Sequence, residues 1–231
     1  MIRRPPRSTL SSSSAASDVY KRQRQDFIPA DTFVDAINFL DDPRADKFFD
    51  PTSKIAGEYK GGPYGTSTPF NDNSHISQTL YAPEFRGVLM DYTEICFILS
   101  EAARRGLSVG GTAEQHYING ITSSMTEWGV SAADLTTYLA SDKVAFATAP
   151  GTEKEKIAKQ FWISMYNRGF EGWTVYRIFD APVLQNSGTL DLPVLKRYTY
   201  PQSEATINGA NVDAANGGVD TQQSLVFWDL Q

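Results

Sequence analysis

The clearest pattern in the chain is a hydrophobic repeat at intervals of three and four residues that begins at Asp91. The repeat predicts a helix, which ends at Gly106 after two arginines whose charges suit a helix C-terminus. The apolar positions of its predicted face are Ile95, Ile98, Leu99, Ala102 and Ala103.

A second repeat follows Gly110-Gly111, and Thr112 is its predicted N-cap. Its apolar positions are Tyr117, Ile118, Ile121, Met125 and Trp128. Small residues recur where two antiparallel helices would approach, namely Ala102, Ala103, Ala113 and Gly120. The two repeats therefore predict a helical hairpin of the tetratricopeptide type.

Weaker helical patterns occupy most of the remaining chain. Asp31 is a predicted cap of a helix that Asp42-Pro43 ends, and Thr152 with Glu155 forms a predicted capping box. Further helices are predicted over 131–140 and 170–179, and one helical turn over 203–207. Alternating strand patterns are almost absent. The fold class is therefore predicted to be all-α, a tetratricopeptide-like helical scaffold.

Two stretches lack a hydrophobic repeat and are predicted to be long irregular loops. Residues 57–73 contain four glycines and two prolines with aromatic residues between them. After Pro182 the chain again becomes rich in Pro, Gly and Asn. Long loops in a compact domain are commonly functional or disordered, and aromatic side chains argue against simple disorder.

Composition narrows the possible partners. The 231 residues carry a formal charge of −6, and residues 1–23 hold five basic side chains against one acidic one, so the remainder is strongly acidic. An acidic chain without basic clusters disfavours a nucleic-acid partner. The single cysteine, Cys96, excludes an intrachain disulfide and is predicted to be a buried thiol. Aromatic residues are abundant, with 13 Phe, 11 Tyr and 4 Trp.

Residues 1–23 differ in composition from the rest of the chain. They are basic and serine-rich, but they contain no apolar core of the kind that a signal peptide needs. Their sequence resembles a translated sequencing adapter. We interpret 1–23 as a non-native or disordered leader and 24–231 as the C-terminal part of a single helical domain whose N-terminal half is missing. The helix that begins at Asp91 would then expose apolar surface.

Candidate catalytic and metal-binding groups are few. His75 and His116 have no second ligand at metal-binding spacing, so no metal site is predicted. Glu94 and Glu101 lie seven residues apart and could form an acid/base pair, but solvated or cap-bonded carboxylates are the favoured interpretation. No phosphate-binding or dinucleotide motif is present. We predict no catalytic residues, no cofactor and no enzymatic activity.

Several segments together resemble the SusD/RagB family of surface nutrient-binding lipoproteins, in particular its SusD-like subgroup. They are Ile98-Leu99-Ser100-Glu101-Ala102-Ala103-Arg104-Arg105-Gly106, the segment Gly169-Phe170-Glu171-Gly172-Trp173-x-x-Tyr176-Arg177, the segment Arg197-Tyr198-x-Tyr200-Pro201-x-Ser203-Glu204, and Asp42-Pro43-Arg44 with Phe48-Phe49-Asp50-Pro51. Two positions depart from the family pattern. Gly172 stands where alanine is usual, and Ile178-Phe179-Asp180 replaces the customary Arg-Thr-Gly.

The resemblance implies a function in nutrient uptake. Such proteins are lipid-anchored at the outer membrane of Gram-negative cells and face outward. They sit as a lid on a TonB-dependent, SusC-like barrel transporter. They hand over oligosaccharides or, in some members, peptides, so a glycan or a peptide is the expected ligand. The anchor would be the only membrane contact, and it is absent from this sequence.

The loop from Tyr59 to Tyr81 is the predicted ligand-binding region, because sugars stack on aromatic rings and their hydroxyls bond to amides and carboxylates. Its candidate residues are Tyr59, Tyr64, Phe70, Asn71, Asp72 and Tyr81. The alternative is that its rings only pin the loop to the helices. Trp173 and Tyr176 are interpreted as core residues, and Arg177 as bonding a carboxylate or backbone carbonyl.

Two other functions remain open at this point. A helical-repeat scaffold that binds another protein would be favoured by a continuous apolar groove on the 91–128 hairpin. A glycan-cleaving enzyme would need two carboxylates facing each other across a cleft, roughly 5–9.5 Å apart.

Overall fold

The computed structural model describes residues 27–226 and 228–229 of the chain, and the predicted leader, residues 1–23, lies outside the described residues. Within this part, β-pairing is limited to isolated bridges. The helices are α1 (Asp31–Phe39), α2 (Ala45–Phe48), α3 (Tyr92–Arg104), α4 (Ala113–Glu127), α5 (Ala132–Ala140), α6 (Glu153–Ser164), α7 (Gly169–Phe179), α8 (Gln202–Ile207) and α9 (Gly209–Asn216). The prediction of an all-α fold with long irregular loops is confirmed.

The predicted hairpin is formed by α3 and α4, and both of its predicted caps are present. The Asp91 carboxylate accepts a hydrogen bond from the backbone N–H of Glu94 at 2.8 Å, and the Thr112 hydroxyl accepts one from Gln115 at 3.1 Å. The helices approach closely at Gly120, where an added Cβ would lie 2.8 Å from the Phe97 ring. Glycine is therefore required for this spacing.

The core-facing side of α3 is not its apolar side. The buried residues are Thr93, Cys96, Phe97, Ser100 and Glu101. Ile95 and Ile98 of the predicted apolar face are 36% and 46% exposed. Exposed apolar surface on this helix was expected from the sequence, whereas burial of the polar residues was not.

Hydrogen bonds across the hairpin explain why polar residues of α3 can be buried. The Thr93 hydroxyl donates to Ser123 Oγ at 2.8 Å, and the Ser100 hydroxyl donates to the backbone carbonyl of Ala113 at 2.7 Å. A buried hydroxyl costs little free energy once it is hydrogen-bonded. These contacts fix the orientation of α3 against α4.

Helix α6 packs between the hairpin and α7, and its aromatic residues extend the hydrophobic core from one to the other. The Phe161 ring stacks on Phe97 at a centroid distance of 5.3 Å and meets the Phe179 ring edge-on at 6.3 Å. The predicted capping box begins this helix, since Thr152 and Glu155 exchange hydrogen bonds between side chain and backbone. The predicted starts of α4 and α6 are thus confirmed by their caps.

A charged residue occupies the centre of the core. Arg44 is fully buried, and its guanidinium donates to both carboxylate oxygens of Asp42, at 2.9 and 2.5 Å. The Tyr138 hydroxyl donates to the same carboxylate at 2.9 Å. Three further side chains accept hydrogen bonds from Arg44, namely Ser124, Ser164 and Gln160. Burial acts to lower the pKa of Arg44, but Asp42 outweighs it and the pKa is raised.

Some helix boundaries differ from prediction. Ala30, not Asp31, is the N-cap of α1, and Asp31 is its first residue. The predicted turn over 203–207 is α8, and it is followed by α9, which was not predicted because it buries only Val212 and so has no apolar repeat. No helix in the described part is both long and apolar enough to cross a membrane.

Candidate ligand-binding surface

All six predicted ligand-binding residues lie in the chain between α2 and α3. Backbone hydrogen bonds fix this loop at two places, from Asp31 to the carbonyl of Gly62 at 3.0 Å and from Ser77 to the carbonyl of Phe48 at 2.9 Å. At the first place a Cβ on Gly61 would lie 2.5 Å from the Asp31 backbone, so only glycine fits there. The loop is therefore held against the beginning of α1 and the end of α2.

Tyr59 lies in the core rather than on the surface, with 5% of the residue exposed. Its hydroxyl donates to Asp46 Oδ1 at 2.5 Å, and its ring packs on Phe49 at 5.0 Å. Burial and the Asp46 carboxylate raise the pKa of Tyr59. These contacts match the alternative in which the ring pins the loop, and they leave little of the ring for a ligand.

Tyr64 is half-buried and connects the loop to the chain beyond α7. Its hydroxyl donates to the backbone carbonyl of Gln185. The two segments touch again where the N–H of Gly188 bonds the carbonyl of Tyr64 at 3.2 Å. Burial raises the pKa of Tyr64. Residues 63–66 and 185–188 therefore form one surface.

Phe70, Asn71 and Asp72 form a short 3-10 helix at the tip of the loop. The Phe70 ring stacks on the His75 imidazole with a centroid distance of 3.7 Å and an interplanar angle of 14°. His75 Nε2 also lies 3.2 Å from the carbonyl of Phe70. Asn71 and Asp72 are exposed beside this fixed ring. The tip thus combines an aromatic ring with an amide and a carboxylate.

Tyr81 ends a second 3-10 helix, Gln78–Tyr81, and is half-buried. Burial raises its pKa. The pKa of Tyr166, which follows α6, is raised chiefly by burial, with a further contribution from Tyr81. The six candidates consequently divide into the tip residues Phe70–Asp72, the two half-buried tyrosines and the buried Tyr59.

An open cleft of about 280 Å³ lies beside Tyr59. Asp41, Asp46 and Glu58 line it, together with the amide of Asn38. Lys54 forms an ion pair with Asp46 at 3.0 Å, and the hydrogen bond from Tyr59 lowers the pKa of Asp46. The cleft offers polar groups, but the Asp46 carboxylate is already paired.

The two carboxylates considered as an acid/base pair are both bound by arginines. Glu94 pairs with Arg168 at 2.5 Å. Glu101 pairs with Arg104 and Arg105, each at 2.6 Å. Burial acts to raise the pKa of Glu101, but hydrogen bonds from the two arginines outweigh it, so the pKa is lowered. Among the described residues, no group of three His, Cys, Asp or Glu side chains could hold a metal ion.

Sequence reasoning missed a second group of aromatic residues, near the end of the chain. We call Trp173, Arg177, Tyr198 and Trp228 the C-terminal array. The Arg177 guanidinium lies 3.9 Å from the Trp173 ring centroid and 5.1 Å from that of Trp228, and Tyr198 meets Trp173 at 5.4 Å. The motif Arg197-Tyr198-x-Tyr200 was the available signal. Arg177 also donates to the carbonyl of Lys196 at 3.3 Å, which confirms the prediction that it bonds a backbone carbonyl.

Comparison with known families gives one match that covers most of the chain. A SusD-like family, described as starch-binding and associating with the outer membrane, matches residues 8–201. No curated protein matches the chain.

Solved structures give the same fold. A SusD homologue from Bacteroides uniformis matches with a TM-score of 0.75 and 24% identity, over 96% of this chain and 54% of that one. A chitin-binding SusD homologue from Flavobacterium johnsoniae matches with a TM-score of 0.72 and 25% identity, over 92% and 51%. The chain therefore spans about half the length of these structures. On the match over residues 8–201 and the shared helical fold, the chain belongs to the SusD-like family.

Proposed function

We propose that this chain binds oligosaccharides at the cell surface without altering them chemically, and presents them to a SusC-like, TonB-dependent transporter of the outer membrane. Two findings support the proposal. The family is described as starch-binding and associating with the outer membrane. A relative with the same fold is described as chitin-binding. A lipid anchor would hold the complete protein at the outer membrane and would be its only membrane contact.

The observation that carries the proposal is the tip of the loop between α2 and α3. Phe70 is fixed by stacking on His75, while Asn71 and Asp72 are exposed beside it. A pyranose ring has one or more C–H faces that pack on an aromatic ring, and its hydroxyls need donors and acceptors at the rim. A ring that is already immobile loses little entropy on binding.

The test is a double variant, Tyr64→Ala with Phe70→Ala, titrated calorimetrically with soluble hexasaccharides of starch, chitin, cellulose and xylan. Loss of two stacking rings is expected to weaken binding by at least about tenfold. Phe39→Ala is the matched control, since Phe39 is an aromatic residue of α1 that is 52% exposed, and it is expected to leave binding unchanged.

Wild-type affinity in the double variant would exclude the loop as the ligand face. Binding of a mixed peptide library with no response to any hexasaccharide would move the proposal from glycans to peptides. Hydrolysis of a bound hexasaccharide, followed by chromatography, would contradict a non-enzymatic role.

The exposed face of α3 supports a second candidate function, a contact with another protein. Tyr92 is 64% exposed, and Ile98 on the same helix is 46% exposed. On α4, the neighbouring helix of the hairpin, Ile118 is 37% exposed. If this face binds the transporter, Ile98→Lys should abolish co-purification with a SusC-like barrel while leaving glycan affinity intact. Retained co-purification would exclude this face as the contact.

A further inference from the structure

The C-terminal array is an aromatic surface that the proposed function does not use. Helix α7 contributes Trp173 and Arg177, and two later segments place Tyr198 and Trp228 next to them. The side chains of the array are in contact. The Arg177 guanidinium lies 3.9 Å from the Trp173 ring centroid, and the Trp173 and Tyr198 ring centroids are 5.4 Å apart. The four side chains therefore form one continuous group.

The two ends of the array are open to solvent. Tyr198 is 64% exposed and Trp228 is 43% exposed, whereas Trp173 and Arg177 between them are half-buried. Exposed aromatic residues scattered singly are ordinary. Here two exposed rings flank a half-buried ring and a guanidinium that orders them, which is a different arrangement from isolated surface side chains.

Hydrogen bonds hold the array in place before any ligand arrives. Trp173 Nε1 donates to the carbonyl of Leu195 at 2.7 Å, and Arg197 Nε donates to the carbonyl of Tyr198 at 2.9 Å. Arg197 is itself anchored by an ion pair with Asp220. The rings are thus preorganised, and a ligand would not bear the entropy cost of ordering them.

Ion-paired carboxylates near the rings keep part of their surface exposed. The Asp220 side chain is 24% exposed and belongs to the ion pair beside Tyr198. The Asp180 side chain, at the end of α7, is 44% exposed and pairs with Lys196 at 2.6 Å. Carboxylates and basic side chains next to aromatic rings are the groups that orient a carbohydrate on a stacking surface.

We propose that the C-terminal array is a second carbohydrate-binding site, on which the sugar units of one glycan stack against Tyr198 and Trp228. This inference rests on the proposed function, because both assign a glycan as the ligand. It differs in the residues that form the site, since the loop tip is Phe70–Asp72, whereas the array combines two residues of α7 with Tyr198 and Trp228 of later segments. The Arg177 guanidinium is covered by Trp rings, so its part is to position Trp173 and Trp228.

The experiment is calorimetric titration of the full chain, as wild type and as Tyr198→Ala with Trp228→Ala, using the same four hexasaccharides. The double variant is expected to bind about five- to tenfold more weakly. Tyr198→Phe with Trp228→Phe keeps an aromatic ring at each position and should bind more tightly than the double alanine variant. Tyr92→Ala is the matched control, because Tyr92 is also 64% exposed but lies on α3.

The outcomes separate this inference from the proposed function. Weaker binding in the array variant, with an unchanged thermal melt, supports the second site. Unchanged affinity in the array variant, with loss in the loop variant, overturns the second site and leaves the loop standing. No response to any hexasaccharide overturns both.

If the double variant unfolds at a lower temperature, Tyr198→Ala alone decides the question. It removes the more exposed ring and keeps Trp228 over Arg177. Affinity equal to that of the wild type in this single variant would contradict stacking at Tyr198.

Discussion

In the core, Arg44 has no exposed surface and every hydrogen bond of its guanidinium goes to another buried side chain, among them Asp42 and Gln160. In the loops, Phe70, Tyr198 and Trp228 are ordered by their neighbours and still present surface to solvent. Both regions are ordered, but the polar groups of the core hydrogen-bond to one another. In the loops, aromatic rings and some polar side chains remain accessible to a ligand, so we expect the binding function there.

The largest effect should come from breaking the buried network. Arg44→Ala leaves the Asp42 carboxylate buried without its cation, and a loss of about 3–5 kcal/mol in the free energy of unfolding is expected. Urea denaturation measures it. Arg86→Ala is the control, because Arg86 forms an exposed ion pair with Glu127 and such a pair contributes about 0–1 kcal/mol. Equal losses in both variants would show that the network is not central to the core.

Two glycine variants test the helix packing with opposite expected signs. Gly120→Ala places a Cβ 2.8 Å from the buried Phe97 ring, and a loss of about 1–3 kcal/mol is expected. Gly172→Ala in α7 meets its nearest atom at 3.7 Å, an ordinary contact, and the gain in helix propensity should stabilise by about 0.5–1 kcal/mol.

Chemical denaturation of both variants measures whether each substitution raises or lowers the free energy of unfolding. Stabilisation by Gly120→Ala would mean that α3 and α4 are further apart than the structure shows. The second variant also restores the alanine that is usual in the family at this position, and the space around Gly172 accommodates it.

Acid should weaken the core through Glu101. Its pKa is lowered below the ordinary 4.5 by Arg104 and Arg105 despite burial, so the unfolded chain takes up the proton more readily. The contribution is complete above about pH 4.5 and is lost as the pH falls through the lowered pKa. Glu101→Gln should therefore lose less stability than the wild type between pH 5 and pH 3, which urea denaturation at the two pH values measures. An identical acid dependence in both proteins would contradict the assignment.

The smallest change in folding energy is expected on the exposed face of α3. Ile95→Ser with Ile98→Ser should alter stability by about 0.5 kcal/mol or less, because both side chains already meet solvent. The same variant should reduce self-association of residues 24–231, which analytical ultracentrifugation would measure. A wild-type protein that stays monomeric in the ultracentrifuge would contradict self-association through the exposed face of α3.

Local signals made part of this structure predictable. The caps at Asp91, Thr112 and Thr152 depend only on residues within one turn, so the starts of α3, α4 and α6 follow from the sequence. The buried face of α3 could not be predicted, because Thr93 and Ser100 are buried by partners 30 and 13 residues away.

The candidate site was predictable to the same extent. Its tip, Phe70–Asp72, is contiguous, so residue types alone were enough to nominate it, and its role in binding stays a prediction. The burial of Tyr59 depends on Phe49 and Asp46, which no local pattern connects to it. The C-terminal array joins Trp173 to Tyr198 and Trp228 across as many as 55 residues of chain, and it becomes visible only in three dimensions.

Calorimetric titration of the wild-type chain with the four hexasaccharides is the decisive test of glycan binding in the loops. We expect saturable binding of at least one hexasaccharide, weakened at least about tenfold by Tyr64→Ala with Phe70→Ala and unchanged by Phe39→Ala. Absence of heat from every hexasaccharide, or equal affinity in all three proteins, would contradict a glycan site in the loops.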